Sequence, residues 1–125
     1  MSDEIKLNIN AVVENDNFKW DFRPGQLKVD QSTARRGGHA QTIGIAADEV
    51  LDIGDVSTEG YCFLRNLDDT NYITWGPQNG TTSDMEPCGK LKAGEIAVFR
   101  IEPGTVLMAM SDTAAVDLDV TVLED

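Results

Sequence analysis

The sequence predicts an all-β protein, an antiparallel β-sandwich of jelly-roll type with about eight to ten short strands. Apolar and polar side chains alternate at both ends of the chain, which is the period of a strand with one buried face. Turn-forming residues interrupt the chain at short intervals, and no long window shows the 3.6-residue period of a helix.

The first half of the chain contains five predicted strands. IKLNINAVV begins with Ile5, Leu7 and Ile9 on one face, and lysine and asparagine side chains lie on the other. A turn at Pro24-Gly25 is predicted to separate the next two strands, because proline and glycine favour turns. The later strands of this half are, in order, FKWDF, QLKVD, QTIGIA and EVLDI, with the glycine-containing loop STARRGGHA between the second and third of these.

The second half continues the pattern. GYCFLRNLDDTNYITWG, residues 60–76, is predicted to form a hairpin of two strands around a polar turn. Asn79-Gly80 predicts a second tight hairpin loop. The next strand, EIAVFRI, is apolar on both faces and is predicted to be covered on both sides. It is followed by TVLMAM and by the terminal strand AVDLDVTVL, in which apolar and polar residues alternate strictly. Both terminal strands are expected on one core, so residues 1–125 are predicted to be a single domain in which residues 23–40 are partly a loop or arm.

The charge distribution argues against nucleic-acid binding. The chain has 10 bases and 22 acids, for a net charge of −12. Residues 1–40 carry six bases and six acids, so residues 41–125 carry the whole excess. Such an acidic surface repels phosphate backbones and favours solubility. The chain has no apolar run of membrane-spanning length and begins with acids, so a cytosolic origin is expected, without membrane association.

Few residues suggest chemistry, so no enzymatic activity, cofactor or metal is predicted. His39 is the sole histidine, which excludes a metal site of several histidines and disfavours a serine triad. Cys62 and Cys88 have no CxxC spacing and are predicted to be reduced thiols, with a disulfide as the alternative. A small enzyme remains a third hypothesis, and it requires polar groups that converge on His39.

Two acidic clusters are predicted to be solvated surfaces rather than calcium sites. Neither has the spacing of an EF-hand loop, although calcium bound between subunits stays open as an alternative. The clusters are Asp48-Glu49-Asp52-Asp55 and Asp68-Asp69.

Three segments together resemble a group of small virion structural proteins of tailed bacteriophages. The first segment, GYCFLRNLDDTNYITWG, contains a predicted strand that ends in RNLD and is followed by TNY. The second, LKAGEIAVFRI, contains L-x-x-GE before A-x-F-R. The third, AVDLDVTVLED, is the last strand of the chain. The resemblance covers roughly residues 40–125. It implies a β-sandwich component of the virion, assembled in the host cytoplasm and without catalytic residues. Head decoration (cement) proteins and small tail or baseplate proteins are of this kind.

The leading hypothesis is a head decoration protein that binds and stabilises the assembled capsid. Its expected partners are the major capsid protein or other virion proteins, and it is expected to form a homo-oligomer, a dimer or a trimer. The residues predicted to contact the particle are Trp20, Phe22, Arg23, Arg35 and Arg36. Arginine suits this role because its guanidinium group makes bidentate contacts with carboxylates.

The alternative hypothesis is a carbohydrate- or receptor-binding module of a tail or baseplate. It predicts an exposed aromatic cluster around Tyr72 and Trp75, because aromatic faces stack on sugar rings.

Overall fold

All regular structure in the described part of the chain is β-strand. The computed structural model describes residues 3–125. The strands are β1 (Ile5–Asn15), β2 (Phe18–Val29), β3 (Arg36–Gly37), β4 (Ala40–Ile43), β5 (Glu49–Val50), β6 (Glu59–Asn66), β7 (Ile73–Pro77), β8 (Gly89–Leu91), β9 (Ile96–Arg100), β10 (Leu107–Ser111) and β11 (Val116–Glu124). Every pairing between them is antiparallel. The all-β prediction is confirmed, with eleven strands over the described residues because several are only two or three residues long.

The chain divides into two compact units, residues 1–33 and residues 34–125. The first holds β1 and β2, which pair with each other in a two-stranded sheet, and the second holds the other strands. The expectation that both terminal strands share one core is wrong in one respect, because the buried core cluster runs from Ile43 to Val122 and includes no residue of β1. The assignment of residues 1–125 to a single domain stays a prediction, and each unit is described by itself.

The first unit, which we call the ribbon, is one long hairpin. β1 and β2 pair from Ile5 opposite Val29 to Asn15 opposite Phe18. The two-residue loop between them begins at Asp16, whose φ of 51° lies in the left-handed region. Aspartate tolerates that region better than most residues, which suits a tight hairpin loop. The local sequence therefore favours this loop between strands of 11 and 12 residues.

The predicted turn at Pro24-Gly25 is absent, and Arg23 and Pro24 form a bulge instead. The register shifts between Ile9, which faces Gly25, and Ala11, which faces Phe22. β2 therefore has one extra residue at this point, where a proline is tolerated because one residue of a bulge is left out of the ladder. Gly25 has a φ of 84°, a conformation that glycine adopts without a steric penalty. FKWDF and QLKVD are consequently one bent strand rather than two.

The second unit, which we call the body, contains two sheets. One has four strands in the order β5-β10-β7-β8, and the other has the order β3-β11-β6-β9, with β4 also paired to β11. β9 is therefore an edge strand, and Ile96 at its start is 64% exposed. The prediction that this strand is covered on both sides is wrong for Ile96.

The core of the body is built from residues of both sheets. β11 shows the predicted alternation, because Val116, Leu118, Val120 and Val122 are almost completely buried and the residues between them are not. The four-stranded sheet adds apolar side chains to the same cluster, among them Ile73. Burying an aliphatic side chain of this size stabilises a fold by about 1.5–3 kcal/mol, so β11 is a main contributor to stability.

The two strands of the 60–76 segment do not form the predicted hairpin. β6 pairs with β11 and β9, whereas β7 pairs with β10 and β8 in the other sheet. The RNLDDTNY residues thus carry the chain from one sheet to the other. The chain does turn back near the predicted Asn79-Gly80 hairpin, but through a wider loop: Gln78 pairs with Met85, and the amide of Asn79 donates to the carbonyl oxygen of Asp84. Inside this loop the Oδ1 atom of Asn79 accepts hydrogen bonds from the amides of Thr81 and Thr82.

Candidate functional site

One face of the ribbon is apolar along nearly its whole length. Residues directly opposite each other in an antiparallel pair point to the same side of the sheet, and alternate residues share a side. The register therefore places twelve residues on this side, namely Ile5, Leu7, Ile9, Ala11, Val13 and Asn15 from β1, and Phe18, Trp20, Phe22, Gly25, Leu27 and Val29 from β2. Asn15, next to the hairpin loop, is the one polar side chain among them. We call this surface the apolar face.

The bulge is what keeps the apolar face continuous. Leu27 and Val29 are odd-numbered, whereas Phe18, Trp20 and Phe22 are even-numbered. In a regular strand these two sets would point to opposite sides, because a shift of one residue moves a side chain to the other face. The extra residue at Arg23-Pro24 restores them to one side.

The apolar face is open to solvent at its aromatic end. Phe18, Trp20 and Phe22 are 61%, 50% and 46% exposed, and Leu27 is also exposed. The rings of Trp20 and Phe22 stack with centroids 5.8 Å apart. Apolar surface that remains exposed in a contiguous patch marks an interaction site in most soluble proteins. A two-stranded hairpin is also only marginally stable alone, so this face is suited to burial against another protein surface.

The opposite face of the ribbon is mostly polar. It presents charged and amide side chains from both strands, namely Lys6, Asn8, Glu14, Lys19, Asp21, Gln26 and Lys28. Arg23 lies at the bulge, where its Nε atom is 3.7 Å from a carboxylate oxygen of Asp21. The ribbon is thus amphipathic in cross-section, and a variant of either face has a matched control on the other.

The predicted contact residues fall into two groups. Trp20 and Phe22 lie together on the apolar face, with Arg23 beside them in the chain. Arg35 and Arg36 belong to the body, where they line an open cavity with the glycines at 37, 38 and 54. The Nη1 atom of Arg35 lies 3.4 Å from Oε1 of Glu124, so this arginine has a structural role within the body.

Glu124 is a buried carboxylate held by a loop. The backbone amides of Ser57 and Thr58 donate hydrogen bonds to its two oxygens. These two bonds lower the pKa of Glu124 from its ordinary value, and Arg35 lowers it further against the opposing effect of burial. The folded state therefore prefers the charged form of this side chain.

We expect Glu124→Gln to lower the free energy of unfolding at pH 7, with the difference from the wild type shrinking in acid. In the unfolded chain the Glu124 carboxylate is protonated near pH 4.3, which is above its pKa in the folded protein. The charged carboxylate therefore contributes its full stabilisation at pH values above 4.3. This stabilisation is lost as the pH falls through the folded pKa. Urea unfolding of both proteins from pH 7 to pH 3 measures this. Glu102→Gln, at an exposed site, controls for the lost charge, and a difference that stays constant in acid would contradict the assignment.

Asn66 explains the RNLD, TNY and L-x-x-GE pattern. Its buried Nδ2 atom donates hydrogen bonds to the carbonyl oxygens of Asn71 and Leu91, at 2.9 and 3.0 Å, and its Oδ1 accepts one from the amide of Asp68. Its backbone pairs with Gly94 and Glu95. The motif residues are therefore joined by one side chain, and their role in the structure is to fix the crossing between sheets.

The acidic clusters bind backbone amides of nearby loops. Asp68 accepts hydrogen bonds from the amides of Asn71 and Thr70, which lower its pKa. Asp48 accepts one from Met85 at 2.9 Å, and Asp52 accepts one from Gly54 at 2.9 Å. Among the described residues, no three histidine, cysteine or acidic side chains come together as metal ligands do.

The other sequence candidates belong to the body. His39 Nδ1 is 3.7 Å from Asp52 Oδ2 at the surface of the body. Trp75 is partly buried, because the ring of Phe99 stacks on it at 4.8 Å and Gly89 lies against the indole. Tyr72 is covered by the Nζ atom of Lys90, 4.3 Å from its ring centroid.

The cysteines are separate free thiols. Cys62 is buried in the core, and burial raises its pKa to about 12, whereas Cys88 is exposed. The prediction of reduced cysteines therefore agrees with the structure.

One cavity in the body is mostly apolar and small. Its lining includes Leu51, Ile101, Leu107 and the carboxylate of Glu59, and its volume is about 170 Å³. Pockets for small molecules usually have about 300–1,000 Å³. This cavity therefore offers too little room for an ordinary ligand.

No protein-family model, curated protein or solved structure matches this chain. Within the described residues there is no helix of the length and hydropathy that crossing a membrane requires.

Proposed function

We propose that this chain is a structural protein of a bacteriophage virion, a head decoration protein that binds and stabilises the assembled capsid without catalysing a reaction. The observation that carries the proposal is the apolar face of the ribbon, with Phe18, Trp20 and Phe22 about half exposed. A surface of this kind is suited to burial in an assembly. The resemblance of the motifs in residues 60–76 and 91–100 to virion proteins supplies the class of assembly.

The strand order of the body supports a jelly-roll sandwich as the finer description of its fold. β11 pairs with both short strands at the start of the body, β3 and β4, and with β6, while β10 pairs with β5 and β7. Taking β3 and β4 as one interrupted strand gives eight strands in two four-stranded sheets. Jelly rolls are double sheets of eight strands and occur in viral capsid proteins, among other classes. Since one fold serves many functions, the jelly-roll strand order is consistent with a virion protein but does not by itself indicate that function.

The proposed mechanism is adhesion to a surface that only the assembled particle offers. A protein that binds the assembled lattice and not its separate subunits stabilises the lattice by linkage. The body is acidic, and the basic side chains predicted for contact, Arg23, Arg35 and Arg36, suit a carboxylate-bearing partner surface. Arg35 is also bound to the buried carboxylate of Glu124, whereas the partner of Arg23, Asp21, is exposed. Arg23 and Arg36 are therefore the better candidates for such contacts.

Binding to assembled capsids tests the proposal. We expect the wild-type chain to co-sediment with assembled capsids of the phage whose genome encodes it, and not with the unassembled major capsid protein. The double variant Trp20→Ser/Phe22→Ser is expected to lose at least 10-fold in affinity, which corresponds to about 1.4 kcal/mol.

The matched control is Lys19→Ser/Asp21→Ser, which changes the two alternating neighbours on the polar face of the same strand. This control is expected to retain most of the affinity. The proposal fails if the wild type does not bind capsids, or if the apolar-face variant binds as tightly as the control.

A further inference from the structure

We propose that the apolar face of the ribbon packs against the same face of a second copy of this chain, so that the protein self-associates through its ribbons. This inference goes beyond the proposed function, because it concerns the isolated protein, in which a second copy occupies the face that the capsid covers after assembly.

The exposed area of the apolar face is sufficient for a specific interface between two copies. An aromatic side chain presents about 150–250 Å², so Phe18, Trp20 and Phe22 at their observed exposure leave on the order of 100 Å² each to solvent. With Ile9, Val13 and Leu27, one face offers on the order of 500 Å². Two such faces together reach the roughly 1,000 Å² that a specific interface requires.

The charge distribution favours a second copy as the occupant of this face. Residues 34–125 carry six bases and sixteen acids, whereas residues 3–33 carry four bases and six acids. The body carries most of the negative charge, so contact between two ribbons brings together less like charge than contact between two bodies. The apolar face itself carries no charged side chain. Two copies of this face therefore meet without repulsion between like charges on the face.

The shape of the face also suits self-association. The rings lie toward the hairpin loop, the aliphatic residues of β1 and β2 lie toward the other end, and the small residues Ala11 and Gly25 lie between them. A Cβ atom added at Gly25 would meet nothing within 4 Å, so this middle section is open. A two-fold arrangement of antiparallel ribbons therefore lays the aromatic end of one copy on the aliphatic end of the other, with the same residues on both sides of the interface.

Solution mass tests the inference. We expect the mass of the full chain in light scattering to rise from near 13.6 kDa to at least twice that value between about 1 and 100 µM, the range that brackets a micromolar dissociation constant. Trp20→Ser/Phe22→Ser is expected to be monomeric in that range, whereas Lys19→Ser/Asp21→Ser keeps the wild-type mass. A monomeric wild type, or an apolar-face variant with unchanged mass, overturns the inference.

Trp20 fluorescence provides a second measurement that does not depend on whether the variant ribbon folds. In Trp75→Phe the only tryptophan is Trp20. We expect its emission to shift to shorter wavelength, and its quenching by iodide to fall, as concentration and mass rise together. If the mass rises while Trp20 stays accessible to iodide, the apolar face is not the interface and the inference is wrong.

The two proposals fail separately. A wild type that is monomeric in solution and still binds capsids contradicts only self-association. A ribbon-dependent oligomer that does not bind capsids contradicts only the decoration function.

Discussion

Asn66→Asp is expected to lower the free energy of unfolding by about 3–5 kcal/mol, as expected when a buried charge is left unpaired. The substitution keeps the shape of the side chain but replaces the Nδ2 donor with a carboxylate oxygen. That oxygen would face the carbonyl oxygens of Asn71 and Leu91, which now accept hydrogen bonds from Asn66. Asn66 is completely buried, so water cannot replace the lost donor. Urea unfolding followed by Trp75 fluorescence measures the effect in the body.

The control for Asn66→Asp is Asn8→Asp, the same change at an exposed position of the ribbon. Exposed substitutions of this type usually change stability by less than about 0.5 kcal/mol. A loss below about 1 kcal/mol for Asn66→Asp would show that the crossing between sheets does not depend on this side chain.

Gly37→Ala is expected to destabilise the body by about 3 kcal/mol, at the upper end of the usual cost of overpacking. A Cβ atom at this position would lie 1.7 Å from the carbonyl oxygen of Ile53 and 2.9 Å from Cγ2 of Val56. Gly37 also pairs with Val122 of β11, so the strand cannot move aside without losing a ladder contact. Thermal unfolding of the variant and the wild type measures the difference.

Gly80→Ala is the matched control, because a Cβ atom there would meet nothing within 4 Å. Replacing glycine by alanine at a compatible site stabilises a protein by about 0.4–1 kcal/mol, through the entropy of the unfolded chain. Equal effects at Gly37 and Gly80 would contradict the close approach of β3 to Ile53.

The alternation of apolar and polar residues predicted the terminal strands well, because each is a strand with one apolar face. β11 is the clearest case, with Val116, Leu118, Val120 and Val122 buried. The same pattern in β1 did not reveal that this strand pairs only with β2, because periodicity shows that a face is apolar and not what covers it. A sequence signal for the ribbon was present: the apolar positions change from even to odd between Phe22 and Leu27, which indicates a bulge at Pro24 rather than a turn.

Contacts between residues distant in the chain were beyond the sequence. Asn66 is an example, because its hydrogen bond to Leu91 spans 25 positions and depends on the packing of both sheets. Arg35 was predicted as an external contact, and its partner within the body, Glu124, is 89 positions away. Trp20 and Phe22 are exposed because the ribbon has only two strands, and the sequence pattern alone does not show how many strands share a sheet.

The central claim is that the apolar face of the ribbon is a protein contact surface in an assembled virion. A cryo-electron microscopy map of the whole particle of the encoding phage tests it most directly. The account predicts density for this chain on the capsid, with Phe18, Trp20 and Phe22 covered by protein. Absence of the chain from the particle, or a bound chain whose apolar face is open to solvent in every copy, would contradict it.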